Sequence, residues 1–331
     1  MKVTVIIIAF TRKTFIKRAI SSVINAGPNS SELEIIVIKN FKDSETDEYI
    51  DKNGGTNIFT EKEGLSDKVM TGIENATGDY ICFLEDDDEF SPNKIITIRD
   101  FISEYPASDY IHNGHVMIRD GNIRDGHLYP GIKQVLQVGK RKQKQVMELM
   151  YTSSFFNLSS VTISKRFGAY LRENLQSGLT HIVDVAIFLE AYEKESFNLL
   201  FIPEELTFYR THNSSHFFTS NYISFSEIER NLAEREIHEL ERYTGSKKFA
   251  YSDEGLKCFI NGWRLRYSMY SPSSSRNDSR IYFLREFLGY FLINKGLIMA
   301  LNALLSFINF VSRFLAGLFF FYYRYIRARI T

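Results

Sequence analysis

Five consecutive carboxylates follow directly on an apolar run, and this junction is the part of the sequence best suited to chemistry. Residues 81–84 are apolar and fit a buried strand, whereas residues 85–89 are all Asp or Glu. An unpaired charge is costly inside a core, so we expect the acids where the strand leaves the sheet, the edge at which open α/β sheets bind ligands. Because adjacent carboxylates repel one another, the run favours a divalent cation with oxygen ligands; a solvated loop is the alternative.

Composition limits the class of protein that carries this run. The chain has 331 residues, 44% of them hydrophobic and 24% charged, which is typical of a globular protein of one large domain or two. Its formal net charge of zero gives no general case for nucleic-acid binding. The two cysteines, Cys82 and Cys258, indicate neither a disulfide framework nor a zinc site. Residues 1–8 fit a buried strand better than a signal peptide, because no small-residue cleavage site follows them.

Strand and helix patterns alternate through the first hundred residues. This alternation predicts a mainly parallel sheet with helices on both faces. The predicted strands are 3–10, 34–38, 57–60 and 80–84, and the predicted helices are 14–26, 47–53, 66–75 and 91–104, the last opening at Pro92.

The pattern is less regular after residue 105. Residues 120–145 are polar and irregular, and the basic run at 140–144 is interpreted as a solvated loop, with contact to lipid or substrate phosphates as the alternative. The sequence predicts strands at 109–118, 197–202 and 206–210, helices at 182–193 and 217–245, and short elements at 146–149 and 159–164.

The last fifty residues differ from the rest of the chain. Residues 281–331 hold six basic side chains and one acid, and Arg313 is the only charge between 296 and 323. That length could span a bilayer, but the polar residues recur on one narrow helical stripe, which favours a helix lying in the membrane interface. A helical hairpin packed on the domain or on a second subunit is the alternative.

Three separated segments together resemble the inverting family 2 glycosyltransferases, which have the GT-A fold. The resemblance covers residues 3–215 and implies a donor that is a nucleotide-diphosphate sugar. The first segment is the opening strand with its Phe-Thr-Arg ending, at 3–12. The second, at 63–88, contains the Gly-Leu-Ser-Asp helix, the Ala-Thr-Gly-Asp turn and the acid run. The third is Asp184 followed by Tyr-Arg-Thr-His at 209–212.

The resemblance assigns the acid run to a metal site. Asp87 and Asp88 are the implied ligands of Mn²⁺ or Mg²⁺, which would neutralise the leaving diphosphate as a Lewis acid. Glu85 occupies the family's first Asp position and is placed with the residues that bind the nucleotide sugar. Asp86 is placed there too, but it fills a position that is usually small. It therefore either faces water or indicates a register that differs by one residue.

The remaining site residues also come from the resemblance. Asp184 matches the family's catalytic base, which takes the proton of the acceptor hydroxyl, although Val183 stands where the family usually has Glu. Arg210 and His212 are expected to bind the leaving diphosphate. Phe10, Arg12, Asn40, Asp67 and Lys68 complete the predicted nucleotide-sugar site; Asn40 follows Lys39 where the family often has an Asp pair.

The sequence is therefore interpreted as an α/β protein with a GT-A fold. The fold is Rossmann-like, with a mainly parallel central sheet flanked by helices and a C-terminal helical, membrane-associating extension. The first predicted domain is a glycosyltransferase domain at 1–215, which has a nucleotide-sugar-binding half at 1–105 and an acceptor half at 106–215. A helical extension and linker follow at 216–275. The last predicted segment is an amphipathic or hydrophobic helical tail at 276–331.

The predicted reaction is a metal-dependent inverting transfer of a hexosyl group to a glycan or lipid-linked acceptor, in polysaccharide biosynthesis. The tail places the protein at the cytoplasmic face of the cell membrane or mediates a homo-oligomer, and no nucleic-acid partner is expected. One rival hypothesis is a degenerate GT-A-fold protein that binds nucleotide sugars as a scaffold. The other is a sugar-phosphate nucleotidyltransferase, which the absence of glycine from residues 10–14 disfavours.

Overall fold

A computed structural model describes residues 1–10, 13–27, 32–119, 122–124, 131–211 and 222–270. Arg12, His212 and the predicted linker and tail beyond residue 270 lie outside these ranges. The chain divides into two compact units, Met1–Thr211 with Phe249–Ser252, and His212–Lys248 with Asp253–Thr331.

The first half of the first unit is a parallel βα arrangement, as the alternating pattern predicts. Its four strands lie in the order β3-β2-β1-β4, so their carboxyl ends share one edge of the sheet. The elements are β1 Val3–Ala9, α1 Ile16–Ala26, β2 Leu33–Lys39, α2 Ser44–Lys52, β3 Thr56–Phe59, α3 Leu65–Asn75 and β4 Tyr80–Glu85.

The second half extends the same sheet with strands of both directions. β9 lies antiparallel between β4 and β6, and β6 is parallel to β10. The elements are β5 Glu89–Phe90, α4 Lys94–Glu104, β6 Ser108–Arg119, β7 Asn122–Arg124, β8 Leu136–Val138, α5 Gln143–Tyr151, a 3₁₀ turn Leu158–Ser160, β9 Val161–Ser164, α6 Lys165–Asn174, α7 Val183–Tyr192 and β10 Asn198–Arg210.

Strand β1 is buried on both faces, which explains its unbroken run of apolar residues. Val5 and Ile7 pack with α1 in one hydrophobic cluster. Ile6 packs against Gly72 of α3, where an added Cβ would lie 2.5 Å from the Ile6 Cγ2. Cys82 of β4 is fully buried, and its Sγ lies 3.2 Å from the Thr162 hydroxyl. Apolar helices therefore cover the centre of the sheet, and the edge of the sheet is the part that a ligand can reach.

The two strands predicted at 197–202 and 206–210 are one strand, β10, and the prediction of two is wrong in this respect. Its pairing with β6 continues across a register shift between Ile202 and Glu205. Gly114 of β6 lies opposite this bulge, where an added Cβ would be 2.7 Å from the Pro203 carbonyl oxygen. The bulge keeps one strand continuous across a proline, which cannot donate to the ladder.

Several other boundaries differ from the sequence-based expectation. Helix α4 begins at Lys94 rather than at residue 91, because the Ser91 N–H donates to the Leu206 carbonyl at 3.0 Å and prolongs the pairing of β5 with β10. The stretch 120–145, expected to be irregular, contains β7 and β8. Helix α6 was not predicted.

The described part of the second unit consists of two helices that pack on each other, α8 Tyr222–Gly245 and α9 Asp253–Tyr270. Arg264 of α9 forms an exposed ion pair of 2.7 Å with Glu241 of α8. Helix α9 lies within the helical extension and linker predicted at 216–275, although no helix was predicted at its particular bounds. Across the described ranges of both units, no helix combines the length and the apolar character that a bilayer crossing needs.

Candidate active site

The acid loop, residues 85–89, begins at the last residue of β4 and lies beside the end of β1. The Asp86 N–H donates to the Ile8 carbonyl at 3.1 Å. Asp86 and Asp88 are each only 1% exposed, whereas Glu85, Asp87 and Glu89 are partly exposed. Of the two alternatives for Asp86, the one in which it faces water is therefore wrong, and so is the expectation that all five acids lie outside the core. Alternate acids point into the protein, where each buried one has specific partners.

Asp86 belongs to a cluster with two other predicted nucleotide-sugar residues, Phe10 and Lys68. The Phe10 N–H donates to Asp86 Oδ2 at 3.0 Å. The Lys68 Nζ lies 3.5 Å from the centroid of the Phe10 ring and donates to the Ala9 carbonyl at 3.0 Å. Burial lowers the pKa of Lys68 to about 8, and the charge of Asp86 opposes that shift. The structure thus brings these three residues together at the carboxyl end of β1.

Asp88 and the loop around it are held by Arg210 at the end of β10. The Arg210 backbone N–H donates to Asp88 Oδ1 at 2.9 Å, and its Nε donates to the Asp87 carbonyl at 2.8 Å. Its Nη2 forms an ion pair with Glu89, which therefore helps to fix the loop. Arg210 is 4% exposed, and its guanidinium stacks on the Phe15 ring. These contacts make Arg210 an anchor of the acid loop.

The carboxylates of the site raise one another's pKa. Burial is the largest cause for Glu85, whose pKa lies well above its usual value, and the charges of Asp87, Asp88 and Asp184 add to it. Burial and Asp87 raise the pKa of Asp88 to about 7, although the Arg210 N–H opposes this shift. A positive charge among these groups would relieve both effects.

Asp184, the predicted base, lies in the first turn of α7. Its Oδ1 accepts the Val185 N–H at 2.8 Å, and its Oδ2 accepts the Asn157 N–H at 3.1 Å. Burial nevertheless raises its pKa to about 6. Because its charge also raises the pKa of Glu85, Asp184 and the acid loop belong to one electrostatic environment.

The acid loop has the donor chemistry of a divalent cation site. Asp88 Oδ2 is buried and has no hydrogen bond of standard geometry, so it has an unused acceptor. Within the described residues, no three His, Cys, Asp or Glu side chains are grouped so that they alone would hold a metal. Mg²⁺ bound at a substrate phosphate typically takes only one or two protein carboxylates. Asp87 and Asp88 fit that pattern.

Asn40, predicted to meet the nucleobase, follows β2 at the same sheet edge. Its Oδ1 is buried and has no hydrogen-bond partner. The preceding Lys39 is 1% exposed and is occupied by an ion pair of 2.7 Å with Asp47 and a hydrogen bond to the Phe41 carbonyl. The positive charge at Lys39 is therefore neutralised within the protein.

Asp67, also predicted to bind the donor, is held by the segment that follows α6. Its Oδ1 accepts from the Ser177 hydroxyl at 2.6 Å and its Oδ2 from the Gly178 N–H at 2.9 Å. It joins helix α3 to the segment that leads to α7 and Asp184. Arg12 and His212 lie outside the described residues, so their predicted roles stay predictions.

Several polar residues around the site were not singled out from the sequence. Asn157 and Ser159 lie between the acid loop and Asp184, and the Ser159 hydroxyl accepts the Glu85 N–H at 3.0 Å. Lys94 is fully buried, and its Nζ donates to the Ser159 carbonyl at 2.7 Å and to the Thr207 hydroxyl at 3.0 Å. A run of Asn-Leu-Ser-Ser is a turn signal, but nothing in the sequence distinguishes Lys94 from a surface lysine.

Arg141 corrects the interpretation of the basic run at 140–144 as a solvated loop. It is 7% exposed, and its guanidinium donates to main-chain carbonyls at the end of helix α7, including those of Ala191, Tyr192 and Lys194. A cation at a helix C-terminus is favourable because it satisfies the last carbonyls and the helix dipole. Arg141 thus fixes the far end of the helix that carries Asp184.

Comparison with known proteins gives a family match for part of this chain. Residues 4–161 match the family described as "Glycosyl transferase family 2". This range contains β1 and the acid loop and ends before Asp184. A curated relative from Campylobacter jejuni, GalNAc(5)-diNAcBac-PP-undecaprenol beta-1,3-glucosyltransferase, is 22% identical over 205 residues. The match covers 59% of this chain and 61% of that relative's length.

Solved structures show the same fold. TarS of S. aureus, residues 1–349 in complex with UDP-GlcNAc, superimposes with a TM-score of 0.54 at 15% identity, covering 99% of this chain and 88% of that one. A structure of S. aureus TarS gives a TM-score of 0.52 at 13% identity, covering 100% of this chain and 53% of that one. Residues 4–161 of the chain thus match glycosyl transferase family 2, and the mixed α/β sheet that carries the acid loop has the GT-A fold.

Proposed function

We propose that the protein transfers a sugar, with inversion, from a nucleotide-diphosphate sugar to a glycan or lipid-linked acceptor, and that it requires Mn²⁺ or Mg²⁺. One observation carries this proposal: the turn at Asn157–Ser159 contacts both acids, since the Asn157 N–H donates to Asp184 Oδ2 at 3.1 Å and the Ser159 hydroxyl accepts the Glu85 N–H at 3.0 Å. An inverting transfer needs a base and a leaving-group site that face the same sugar, and this pair of acids supports that arrangement.

The protein's own residues divide the reaction between them. Asp87 and Asp88 would hold the cation, which when bound supplies positive charge for the leaving diphosphate. Asp184 would accept the proton of the acceptor hydroxyl while the oxygen attacks the anomeric carbon. A pKa of about 6 leaves Asp184 mostly ionised at neutral pH and still basic enough to take a proton.

The donor side rests on the cluster at the end of β1. Phe10, Lys68 and Asp86 are joined by hydrogen bonds and by a cation–π contact, and Asn40 has a buried acceptor free for a ligand. We propose that these four residues contact the nucleoside and that Glu85 contacts the sugar. Arg12, Asp67, Arg210 and His212 are assigned to the same site as a prediction from the family resemblance alone.

The acceptor and location are proposed from the relative's name and the basic tail. The Campylobacter relative is named for a substrate linked to undecaprenol through a diphosphate. We propose an undecaprenol-type lipid-linked acceptor for this chain as well, with residues 276–331 attaching it to the cytoplasmic face of the membrane. The six basic residues of 281–331 are expected to favour anionic lipids.

The direct test is release of nucleotide from a panel of nucleotide sugars, with and without an acceptor, in the presence of Mn²⁺. Asp87→Ala and Asp184→Ala should each abolish acceptor-dependent release. Binding of a nucleotide sugar in the presence of Mn²⁺, with no turnover on any acceptor, would favour the scaffold hypothesis instead. Pyrophosphate as the product would indicate a nucleotidyltransferase.

A further inference from the structure

Two aromatic side chains, Phe156 and Tyr209, form a pair beside the candidate site, and the proposed function gives neither of them a task. Their ring centroids lie 5.3 Å apart and their planes meet at 66°, which is an edge-to-face arrangement. Both side chains are partly exposed. Because the rings offer a ligand an apolar surface, their position relative to the carboxylates decides which part of a substrate they can meet.

The main chain next to each ring contacts one of the carboxylates of the site. The N–H of the residue after Phe156 donates to Asp184 Oδ2 at 3.1 Å. The N–H of the residue after Tyr209 donates to Asp88 Oδ1 at 2.9 Å. The contact between the two rings therefore joins the segment that touches the proposed base to the strand that touches the acid loop.

The Tyr209 ring points to the side of the sheet on which Phe156 lies. Successive side chains of a strand point to opposite faces of a sheet. The Arg210 guanidinium packs on the Phe15 ring, so the Tyr209 ring lies on the other face, where it contacts Phe156. The ring pair is therefore on the side of the site that leads to Asp184, to which an acceptor hydroxyl must come.

The residues proposed to contact the nucleoside lie on the other side of the acid loop. Phe10, Lys68 and Asp86 cluster at the end of β1, and Asn40 follows β2. In the sheet, β9 and β6 separate β4 from β10, whereas β1 and β2 lie on the opposite side of β4. A nucleoside bound at the end of β1 would leave the ring pair to the acceptor.

The Phe156 ring is fixed before any ligand binds. The His112 Nε2 donates to the Phe156 carbonyl at 2.8 Å, and the Phe156 N–H donates to the carbonyl of Ser153, whose φ is 48°. The His115 ring packs on both rings, with centroid distances of 5.4 Å to Phe156 and 6.1 Å to Tyr209. A surface that is already ordered loses little conformational entropy when a ligand binds to it.

We propose that Phe156 and Tyr209 form an acceptor subsite that packs against the sugar ring whose hydroxyl Asp184 deprotonates. One face of a pyranose ring carries mainly C–H groups, and burying it on an aromatic surface removes apolar area from water. The proposal rests on the proposed function, because it assumes that Asp184 is the base. The alkyl chain of a lipid-linked acceptor is the other apolar group of suitable chemistry, and the test separates the two.

The test uses substitutions in the full-length chain that remove or keep a ring. Phe156→Leu and Tyr209→Leu each remove one ring and keep a large apolar side chain, whereas Tyr209→Phe keeps the ring and removes only the hydroxyl. Phe101→Leu is the matched control. Phe101 is also a partly exposed ring, stacked on Tyr105 at 6.4 Å, but it packs on a separate hydrophobic cluster.

The probes are the methyl and octyl β-glycosides of glucose, galactose, GlcNAc and GalNAc. They are offered as acceptors together with Mn²⁺ and a saturating concentration of a donor that the wild type hydrolyses. Transfer kinetics give the acceptor KM and kcat, and donor hydrolysis is measured separately without acceptor. Saturation-transfer NMR measures binding of the methyl glycosides directly.

We expect each leucine variant to raise the acceptor KM by roughly three- to tenfold, the usual contribution of an aromatic contact, and by the same factor for methyl and octyl glycosides. The ratio of transfer to donor hydrolysis should fall at subsaturating acceptor, while the donor KM changes little. Tyr209→Phe should keep most of the acceptor affinity because it keeps the ring. Phe101→Leu should behave as the wild type does.

Two results would overturn the subsite. A rise in KM confined to the octyl glycosides would show that the rings contact the alkyl chain instead of the sugar. An unchanged acceptor KM in both leucine variants, or equal losses of transfer and hydrolysis with a lower melting temperature, would show that the rings only support the fold. If one leucine variant does not fold, the other still decides between these outcomes.

The failure of this inference can be distinguished from the failure of the proposed function. A wild type that hydrolyses a donor but binds none of the methyl glycosides would refute the sugar subsite and leave the proposed donor and cation sites standing. A wild type that hydrolyses no donor and transfers to no acceptor would overturn the proposed function, and the inference with it.

Discussion

Asp184 is the residue on which the proposed chemistry depends most directly. We expect Asp184→Asn to lower kcat by a factor of roughly 10² to 10⁴, the usual contribution of a general base, while donor and Mn²⁺ affinity change little. Because burial raises its pKa to about 6, kcat in the wild type should fall as the pH drops through and below that value. The measurement is steady-state transfer between pH 5 and 8.

Glu190 is a matched control for Asp184. It is a buried acid on the same helix, 4% exposed, and its carboxylate accepts from the Tyr170 hydroxyl at 3.2 Å, outside the candidate site. Glu190→Gln should leave kcat near the wild-type value. Equal losses in the two variants would mean that α7 needs its acids for folding and that Asp184 is not the base.

Arg210 is expected to act on the acid loop through structure. Arg210→Met keeps the backbone N–H that binds Asp88 but breaks the ion pair with the partly exposed Glu89 and the bond to the Asp87 carbonyl. We expect a loss of about 1–3 kcal/mol in the free energy of unfolding, since the Asp87 carbonyl loses its donor and Glu89 its charged partner, together with weaker Mn²⁺ binding. Chemical denaturation and Mn²⁺ titration measure the two effects.

The surface pair of Arg172 with Glu74, at 3.4 Å and well exposed, is the comparison for Arg210. Arg172→Met should cost less than about 1 kcal/mol. If Arg210→Met keeps wild-type stability but weakens donor binding, then Arg210 binds the diphosphate as the family resemblance implies.

At the scale of elements, the pairing of β6 with β10 at the bulge depends on Gly114. An added methyl group would lie 2.7 Å from the Pro203 carbonyl oxygen, which is main chain and cannot rotate away. Gly114→Ala should therefore lower the free energy of unfolding by about 1–3 kcal/mol, the usual cost of overpacking. Thermal and denaturant unfolding provide the measurement.

Gly139 provides the control for that substitution. It is exposed, and the nearest atom to an added Cβ is the Asn198 Oδ1 at 3.8 Å. Gly139→Ala should change stability by no more than about 0.5 kcal/mol. Similar losses in both variants would show that the bulge in β10 is more adaptable than its contacts indicate.

The elements also show what the sequence could and could not predict. The four parallel strands of the first half were predictable because each is a continuous apolar run bounded by turn residues. Strand β10 was divided in two because Pro203 and the acids after it interrupt the apolar pattern, and a bulge cannot be inferred from that interruption. Helix α6 was missed because its buried face is short and its charged residues dominate the pattern.

In the candidate site, too, some features could be predicted from the sequence and others could not. The acid run could be singled out because adjacent carboxylates carry their chemistry in their residue type, whereas Asp184 was predicted from the family resemblance. The burial of Asp86 and the anchoring contacts of Arg210 were not, because they depend on partners distant in sequence. Asn157 is the extreme case, since its contact with Asp184 is made by a backbone N–H that every residue except proline possesses.

For the whole molecule, the raised pKa values link stability to pH and to cations. Burial raises the pKa of Asp184 to about 6 and that of Asp88 to about 7, from an ordinary value of 3.8, so the folded state holds protons more tightly. The stability that these groups contribute is fully present below about pH 4 and is lost as the pH rises towards 7. A bound cation should reverse that loss.

We therefore expect Mn²⁺ at saturation to raise the melting temperature by about 5 °C at pH 7.5 and by much less at pH 5, where protons compete for the carboxylates. Differential scanning fluorimetry at the two pH values checks this expectation. Asp88→Asn should remove the shift. A shift of the same size at pH 5 and pH 7.5 would place the cation elsewhere.

Labelling of the Cys82 thiol can measure how often the strands around it separate. Its thiol is fully buried between β1 and β9, and burial raises its pKa, so a thiol reagent can modify it only when these strands separate. In a Cys258→Ser background, the labelling rate would time that separation. A donor and Mn²⁺ held at the end of β4 should slow labelling, whereas ligands bound only at the protein surface should leave its half-life unchanged.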